Sequence, residues 1–200
     1  EEIRREGGRA EPLCCDVSDI SETREAVRAH GPFPILVNNA GMNRLAPFVD
    51  VVERDFDDIL ALNLRAPFFL AQAVARQLIA AGQGGSIINM SSQMGLAGGE
   101  KRSVYCASKH ALEGMTKAMA IELGPHGIRV NTVCPTFIDT PLAAPLLADA
   151  EFRAWAIPRI KLGRIGRVED IMGAVVYLAG DASALTRGSA LVVDGGWTAD

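Results

Sequence analysis

A tyrosine and a lysine separated by one helical turn are the residues of this sequence best suited to chemistry. Tyr105 and Lys109 lie in SVYCASKHALEG (residues 103–114), and their four-residue spacing places both side chains on one face of a helix. A free phenol has a pKa of about 10, and a neighbouring ammonium group stabilises the phenolate and lowers that pKa. We therefore interpret the pair as a proton donor with its electrostatic partner. A surface tyrosine beside a solvated lysine is the alternative, because Y-x-x-x-K is common by chance.

A serine thirteen residues upstream completes a set of groups that could act on one oxygen atom. Ser92 follows the apolar stretch GSIINM, where its hydroxyl could hydrogen-bond a substrate oxygen as negative charge develops. Together with Tyr105 and Lys109 it could protonate or deprotonate an alcohol or carbonyl oxygen. No protein side chain donates a hydride, so such a reaction also requires a nicotinamide cofactor.

The elements that would position these residues alternate between strands and helices. Near-continuous apolar strands separated by helices indicate an α/β fold, a doubly wound parallel sheet covered on both faces. Ser21 is the predicted N-cap of the first helix, and Pro67 marks a break or a fresh first turn in the longest one. The predicted strands are 10–17, 34–41, 85–92, 127–135 and 189–196, and the predicted helices are 21–31, 53–81, 103–123 and 168–179.

Polar and glycine-containing residues follow three of these strands. Ligands of open parallel sheets bind beyond the carboxyl ends of the strands. Residues 38–41 (NNAG), 91–92 and 135–140 therefore meet at one rim, where the helix carrying Tyr105 also begins. The irregular, proline-containing segment 136–164 is long for a plain connection, which favours a lid or binding loop.

Composition argues against several classes of partner. The 200 residues carry 24 acidic and 20 basic side chains without a long basic run, so neither a nucleic acid nor a membrane surface is predicted as a partner. The apolar runs end short of the ~18 residues that a bilayer span needs, and EEIRREGG is not a signal peptide. The length fits one domain over residues 1–200. Without metal-ligand spacing, the four cysteines are predicted to be buried free thiols of a cytoplasmic protein: Cys14, Cys15, Cys106 and Cys134.

These motifs occur together, and in this order, in a known enzyme family. Ser92, YCASK at 105–109 and NNAG at 38–41 resemble the short-chain dehydrogenase/reductase family, in the branch with a core of about 250 residues. The resemblance covers essentially the whole chain. It implies an oxidoreductase that uses NAD or NADP to interconvert a secondary alcohol and a ketone. The thirteen-residue spacing to the tyrosine favours Ser92 over Ser91, which we interpret as structural.

The resemblance implies a role for each of four catalytic residues. Tyr105 would be the general acid/base, and Ser92 would polarise the substrate oxygen. Lys109 would lower the tyrosine pKa and hold the nicotinamide ribose. Asn63 would hold a water through its main chain, with an ordinary polar residue at a helix bend as the alternative.

The resemblance also implies a cofactor site. Asp16 would accept a hydrogen bond from the adenine amino group and Val17 would pack on the ring, although a turn residue before a helix is the alternative for Asp16. Asn38 is similar to the asparagine that ties neighbouring strands together in the family. Thr136 stands where the family usually has glycine, so the backbone is expected to differ there. The implied cofactor-binding residues are Asp16, Val17, Asn39, Ala40, Gly41, Tyr105, Lys109, Pro135, Ile138 and Thr140.

The family's first strand, glycine-rich turn, first helix and second strand have no counterpart in this sequence. They carry the pyrophosphate cradle and the residue that separates NAD from NADP. With the strand order 3-2-1-4-5-6, two strands would be missing between 10–17 and 34–41, which leaves a gap of about 14 Å between unpaired edges. We therefore expect an N-terminally truncated piece of a complete enzyme.

The sequence constrains the substrate class and the oligomeric state less than it constrains the fold and the site. The mixture of polar and apolar residues near the rim favours a small polyol, a sugar acid or a 3-oxoacyl compound. The family usually forms dimers or tetramers through helices corresponding to 64–81 and 103–123, so a homodimer or homotetramer is expected. A non-catalytic relative that binds cofactor or regulates, or an inactive fragment, is the alternative. The possible pocket residues, for some of which core or oligomer packing is equally plausible, are Gln93, Met94, Phe137, Leu142, Phe152 and Trp155.

Overall fold

The computed structural model describes residues 1–199 and contains a four-stranded, all-parallel sheet. The strands lie in chain order, with Asn38 opposite Asn89 and Met90 opposite Val133. Because the sheet is parallel, the carboxyl ends of all strands lie at one edge. The strands are β1 Ile35–Asn38, β2 Gly85–Met90, β3 Ile128–Pro135 and β4 Ala190–Val193.

Helices cover both faces of this sheet, as a parallel sheet with helical crossovers requires. Successive residues of β2 point to opposite faces: Ile87 belongs to one buried cluster with residues of α2, α4 and α5, and Ile88 to a second with residues of α8. This arrangement confirms the predicted doubly wound fold. The helices are α1 Glu2–Arg5, α2 Ile20–His30, α3 Glu53–Leu60, α4 Ala66–Ala80, α5 Ser103–Leu123, α6 Ala144–Leu147, α7 Ala150–Ala156 and α8 Val168–Ala179.

The strand predicted at 10–17 is wrong, whereas α5 and α8 match their predicted bounds. Residues 8–16 are irregular and pair with no strand among residues 1–199, while β1 is an edge strand paired only with β2. A strand exists only where its backbone groups meet a neighbouring strand, so an apolar sequence alone is insufficient. The exposure of Ile35 and Val37 on β1 fits its edge position.

The first predicted N-cap is also displaced. Oδ1 of Asp19 accepts hydrogen bonds from the backbone N–H groups of Ser21 (2.8 Å) and Glu22 (3.1 Å), so α2 begins at Ile20. Asp and Ser are both good N-caps, and the local backbone decides between them. Ser21 therefore lies in the first turn of the helix.

The long helical stretch is interrupted just before Pro67, close to the predicted break. Residues Ala61–Arg65 form a π-helical turn, after which α4 starts with Pro67 in its first turn. Proline has no N–H to donate and is tolerated in a first turn. Such π turns are frequent at functional sites, and this one contains Asn63.

The same stretch tests the prediction that no segment is long and apolar enough to span a membrane. By length and composition alone, Glu53–Ala80 could cross a bilayer, which the run-length argument from the sequence did not anticipate. Here α4 supplies Ala71, Val74 and Leu78 to the buried cluster against the sheet. Core packing therefore accounts for the apolar residues on the sheet-facing side of α4.

All four cysteines are free thiols, but the prediction that all are buried is wrong. Only Cys134, on β3, is buried; Cys14 is exposed, and Cys15 and Cys106 are half-buried. Cys14 and Cys15 lie in the segment that forms no strand and therefore have no sheet to pack into.

Candidate active site

A cavity of about 590 Å³ lies at the carboxyl ends of β1, β2 and β3. Its walls come from the turns after these strands, the first two turns of α5 and the segment after β3. Ser92, Tyr105 and Lys109 all line it, so the structure brings together the three side chains that the sequence predicts as a chemical group. The predicted pocket residues that also line it are Gln93, Met94, Phe137 and Leu142.

Ser92 is placed to donate a hydrogen bond into this cavity. Its backbone is extended, and its Oγ accepts from the backbone N–H of Met94 at 3.1 Å. Because the oxygen already accepts a hydrogen bond, the hydroxyl hydrogen is left to donate. Ser91 also lines the cavity, but its Oγ is buried and has no hydrogen-bond partner among residues 1–199.

Tyr105 has its phenol in the cavity wall. Burial raises the pKa of Tyr105, and hydrogen bonding with Ser92 opposes that rise by favouring the phenolate. The sequence predicts that Lys109 lowers the pKa of Tyr105. In the structure, burial has the largest effect on this pKa, and Lys109 is not among its causes. Nζ of Lys109 lies 5.6 Å from the centre of the Tyr105 ring, a cation–π contact with the ring face rather than a contact with the phenol oxygen.

Lys109 is almost completely buried beneath the tyrosine. Its Nζ donates to the carbonyl oxygen of Met90 at 2.7 Å. Burial lowers the pKa of Lys109 to about 8, while the buried carboxylate of Glu113, one turn further along α5, acts in the opposite direction. Lys109 is thus a buried group that changes charge near neutral pH.

Asn63 fixes the turn after β1 against α5. Its Oδ1 accepts from the N–H of Met42 and its Nδ2 donates to the carbonyl of Met42, both at 2.8 Å, and Nδ2 also reaches Oγ of Ser108 at 3.1 Å. The side chain is 1% exposed. It therefore belongs to the framework of the cavity and is more than a surface residue at a helix bend.

A second set of buried amides ties the strands to α5. Nδ2 of Asn38 donates to Oδ1 of Asn89 across β1 and β2, and Nδ2 of Asn89 donates to Oγ1 of Thr116, each at 2.8 Å. The expectation that Asn38 connects neighbouring strands is confirmed. The connection holds the end of β1, and with it the NNAG turn, against the helix that carries Tyr105.

The residues predicted for cofactor binding fall into two groups. Among them, Asp16, Val17 and Ala40 do not line this cavity. Oδ1 of Asp16 accepts from the N–H and hydroxyl of Ser18, hydrogen bonds that lower the pKa of Asp16 in an exposed turn. That geometry corresponds to the turn alternative for Asp16. The predicted cofactor residues that line the cavity are Asn39, Gly41, Tyr105, Lys109, Pro135, Ile138 and Thr140.

The residues present fit the nicotinamide and ribose end of a dinucleotide. A Cβ added to Gly41 would lie 3.3 Å from Oδ1 of Asn63 and 3.8 Å from Nζ of Lys109, so glycine lets the backbone approach the ammonium group closely. Oγ1 of Thr136 is buried without a hydrogen-bond partner among residues 1–199, and its backbone N–H pairs with Val193 on β4. The cavity thus offers donors and an unpaired hydroxyl beside apolar walls.

Two further cavity residues, Arg102 and Asn43, were not singled out from the sequence. Arg102 is the N-cap residue of α5 and is 6% exposed. Its spacing of three from Tyr105 was a usable signal, since residues three apart share a helix face. Phe152 and Trp155 do not line the cavity; they form an aromatic cluster behind it with Phe137 and Trp197.

Known proteins share this fold and much of this sequence. A family model described as enoyl-(acyl carrier protein) reductase matches residues 1–198. D-erythrulose reductase of Gallus gallus is 45% identical over 201 residues, covering 98% of this chain and 80% of that protein. A gluconate 5-dehydrogenase from Burkholderia cenocepacia, solved in complex with NADP and tartrate, superposes with a TM-score of 0.96 at 36% identity, over 100% of this chain and 79% of that one. A short-chain type dehydrogenase/reductase from Mycobacterium marinum superposes with a TM-score of 0.93 at 40% identity, over 100% of this chain and 80% of that one.

This chain belongs to the short-chain dehydrogenase/reductase family. It is an NAD(P)-dependent oxidoreductase that interconverts a secondary alcohol and a ketone.

Proposed function

We propose that Ser92, Tyr105 and Lys109 carry out this reaction on a small polyhydroxylated substrate, with NADP(H) as the cofactor. The convergence of these three side chains in one cavity at the strand ends is the observation that supports the proposal. NADP is preferred because the gluconate 5-dehydrogenase neighbour was solved with it.

The proton chemistry follows from the contacts of each side chain. The substrate oxygen accepts a hydrogen bond from Ser92, whose own oxygen is held by the Met94 N–H. Tyr105 gives a proton to that oxygen in the reduction and takes one in the oxidation. The bound nicotinamide supplies or accepts the hydride.

Lys109 supports the phenolate form of Tyr105 electrostatically once the tyrosine has lost its proton. Its pKa of about 8 lets it exchange a proton near neutral pH, and Asn63, in the π turn, holds a water through its main chain to carry that proton onward. One donor of Lys109 is used by Met90, and the others are assigned to the ribose hydroxyls.

The remaining cofactor contacts are assigned by position. Asn39, Ala40 and Gly41 would hold the adenosine ribose. Asp16 and Val17 would contact the adenine only if Asp16 left its turn with Ser18. At the nicotinamide, an apolar wall and a hydroxyl come from the segment after β3: Pro135, Ile138 and Thr140.

The substrate class rests on the relatives. D-erythrulose is a ketose and gluconate a sugar acid, so both similar proteins are named for small polyhydroxylated compounds. A 3-oxoacyl substrate is the second candidate. The matching family model is described as an enoyl-(acyl carrier protein) reductase, which also acts on an acyl thioester but reduces a carbon–carbon double bond rather than a ketone.

We also propose a homodimer or homotetramer, a single domain over residues 1–200 and a cytoplasmic location, without nucleic-acid or membrane partners. The outer sides of α4 and α5 form an apolar groove of about 800 Å³ that includes Ala111 and Ala118. Phe68, in the same groove, is 42% exposed, and Ile121, on α5, is 78% exposed. An apolar surface of this kind on two adjacent helices suits an interface with a second copy.

Tyr105→Phe tests the proposed function in the complete protein. The variant should lose about 10²- to 10⁴-fold in kcat with ketose and polyol substrates, because it lacks the phenolic hydroxyl group that exchanges the proton and keeps the ring. NADPH binding, followed by fluorescence titration, should be unchanged. Unaltered turnover in the variant would instead favour a different proton donor, and cofactor binding without turnover in the wild type would favour the regulatory alternative. Faster reduction of an acetoacetyl thioester than of any ketose would favour the 3-oxoacyl candidate.

A further inference from the structure

Arg102 is a buried cation in the wall of the cavity that has no acidic partner. Its side chain is 6% exposed and makes no ion pair with any of the residues 1–199. Glu100, the nearest acidic residue in sequence, is exposed; its backbone carbonyl accepts from Nη1 of Arg102 at 2.9 Å, and its carboxylate raises the pKa of Arg102 without forming an ion pair with it. Buried charges are normally paired, so an arginine in this state needs an explanation.

Aromatic rings orient the guanidinium without neutralising it. Cζ of Arg102 lies 5.7 Å from the centre of the Phe137 ring and 5.8 Å from that of Phe152. These rings belong to the cluster with Trp155 and Trp197, whose neighbouring centres are 5.0–5.5 Å apart. Burial lowers the pKa of Arg102, yet arginine stays protonated at neutral pH. The result is a rigidly held positive charge at the cavity wall.

The charged side chains among the described lining residues of the cavity are all positive. Among its described lining residues only Arg102 and Lys109 are charged, and neither Asp nor Glu is present. Lys109 is already assigned to Tyr105 and the ribose. Arg102 is therefore available to bind an anionic group of the substrate. Its planar guanidinium group can donate two parallel hydrogen bonds to a carboxylate.

We propose that the substrate is a sugar acid whose carboxylate binds Arg102. Arg102 is the N-cap residue of α5, Tyr105 lies in the first turn of that helix, and both line the same cavity, so one small substrate can contact both side chains. This inference rests on the proposed function and narrows its substrate class from polyols and sugar acids to sugar acids.

D-gluconate and D-glucitol form a matched pair of probes, because they differ only in having a carboxylate or a hydroxymethyl group at C1. In the complete protein, kcat/KM for oxidation with NADP should favour D-gluconate by about 100-fold, the effect of a bidentate charged contact. Arg102→Gln should reduce that ratio to below about 10-fold, chiefly through KM for D-gluconate. Arg102→Lys should keep part of this preference for D-gluconate, because lysine retains the positive charge but cannot form the bidentate hydrogen bonds of a guanidinium group.

A binding measurement separates this proposal from the proposed function. D-gluconate should raise the melting temperature of the NADP-loaded wild type, D-glucitol at equal concentration should raise it less, and Arg102→Gln should lose the difference. Gluconate-specific binding without turnover would sink the proposed function and leave the role of Arg102 standing. Equal turnover or equal stabilisation by the two probes in the wild type, or an equal loss with both in Arg102→Gln, would overturn the inference and make Arg102 a structural residue.

Discussion

Replacing Lys109 by methionine should remove a distinct part of the pH dependence of stability. The Lys109 ammonium group is buried, and its pKa falls from an ordinary value of 10.5 to about 8 in the folded protein. This difference corresponds to about 3 kcal/mol by which the folded state disfavours the charged form. Methionine has a similar length and no charge, so this penalty disappears in the variant.

The sign follows from proton binding. Between pH 8 and 10.5 the unfolded chain binds more protons at this position than the folded protein does, so stability rises with pH. Below pH 8 both states are protonated and the penalty is present in full; above pH 10.5 it has gone. From pH 7 to pH 10, Lys109 should therefore add about 2–3 kcal/mol to the free energy of unfolding of the wild type.

Urea unfolding of the cofactor-free protein at pH 7, 8, 9 and 10 measures this effect. The quantity to follow is the difference in unfolding free energy between wild type and Lys109→Met, because other titrating groups largely cancel in it. Lys117→Met is the matched control: Lys117 is exposed on the same helix, and the difference for its variant should stay flat. If the Lys109→Met difference also changes by less than about 0.5 kcal/mol over this range, the lysine is not desolvated and the reasoning is refuted.

Two further predictions concern the framework and the assembly. Asn89→Leu should lower the unfolding free energy by about 2 kcal/mol, because it leaves the buried hydroxyl of Thr116 without a partner and the buried amide of Asn38 with only a long contact to the Pro67 carbonyl (3.5 Å); a change below about 0.5 kcal/mol in denaturant melts would show that neither group needs Asn89. Phe68→Glu should dissociate the oligomer in light-scattering measurements, since it buries a charge in the groove between α4 and α5. Phe48→Glu, at a residue that is 80% exposed and outside that groove, should leave the assembly intact, and dissociation by both variants would contradict the assigned interface.

Much of the fold was predictable because its signals are local. The apolar runs that became β2 and β3 are buried on both faces and could only be central strands. The bounds of α5 and α8 follow from uninterrupted helical stretches. The segment 10–17 had the same apolar character and failed as a strand, since strand formation depends on a neighbouring strand that sequence character alone does not supply.

The candidate site was predictable to a similar degree. Ser92, Tyr105 and Lys109 were found from residue type and spacing, and the parallel-sheet rule placed them at one rim. The direction of the tyrosine pKa was not predictable, because it depends on burial, which here outweighs the neighbouring charge. Asp16 was assigned from a motif, and its side chain proved to be engaged in a turn with Ser18.

The sequence by itself determined the class of fold and the chemical groups, because helical spacing and strand periodicity are properties of neighbouring residues. Only the tertiary structure decided which charges are paired. Arg102 is an unremarkable basic residue in EKRSV, and it becomes a candidate ligand for a carboxylate because distant segments bury it, bring Phe137 and Phe152 against it and place no acid beside it. Burial and pairing depend on contacts between residues far apart in the chain, and these follow from the packing of the whole domain.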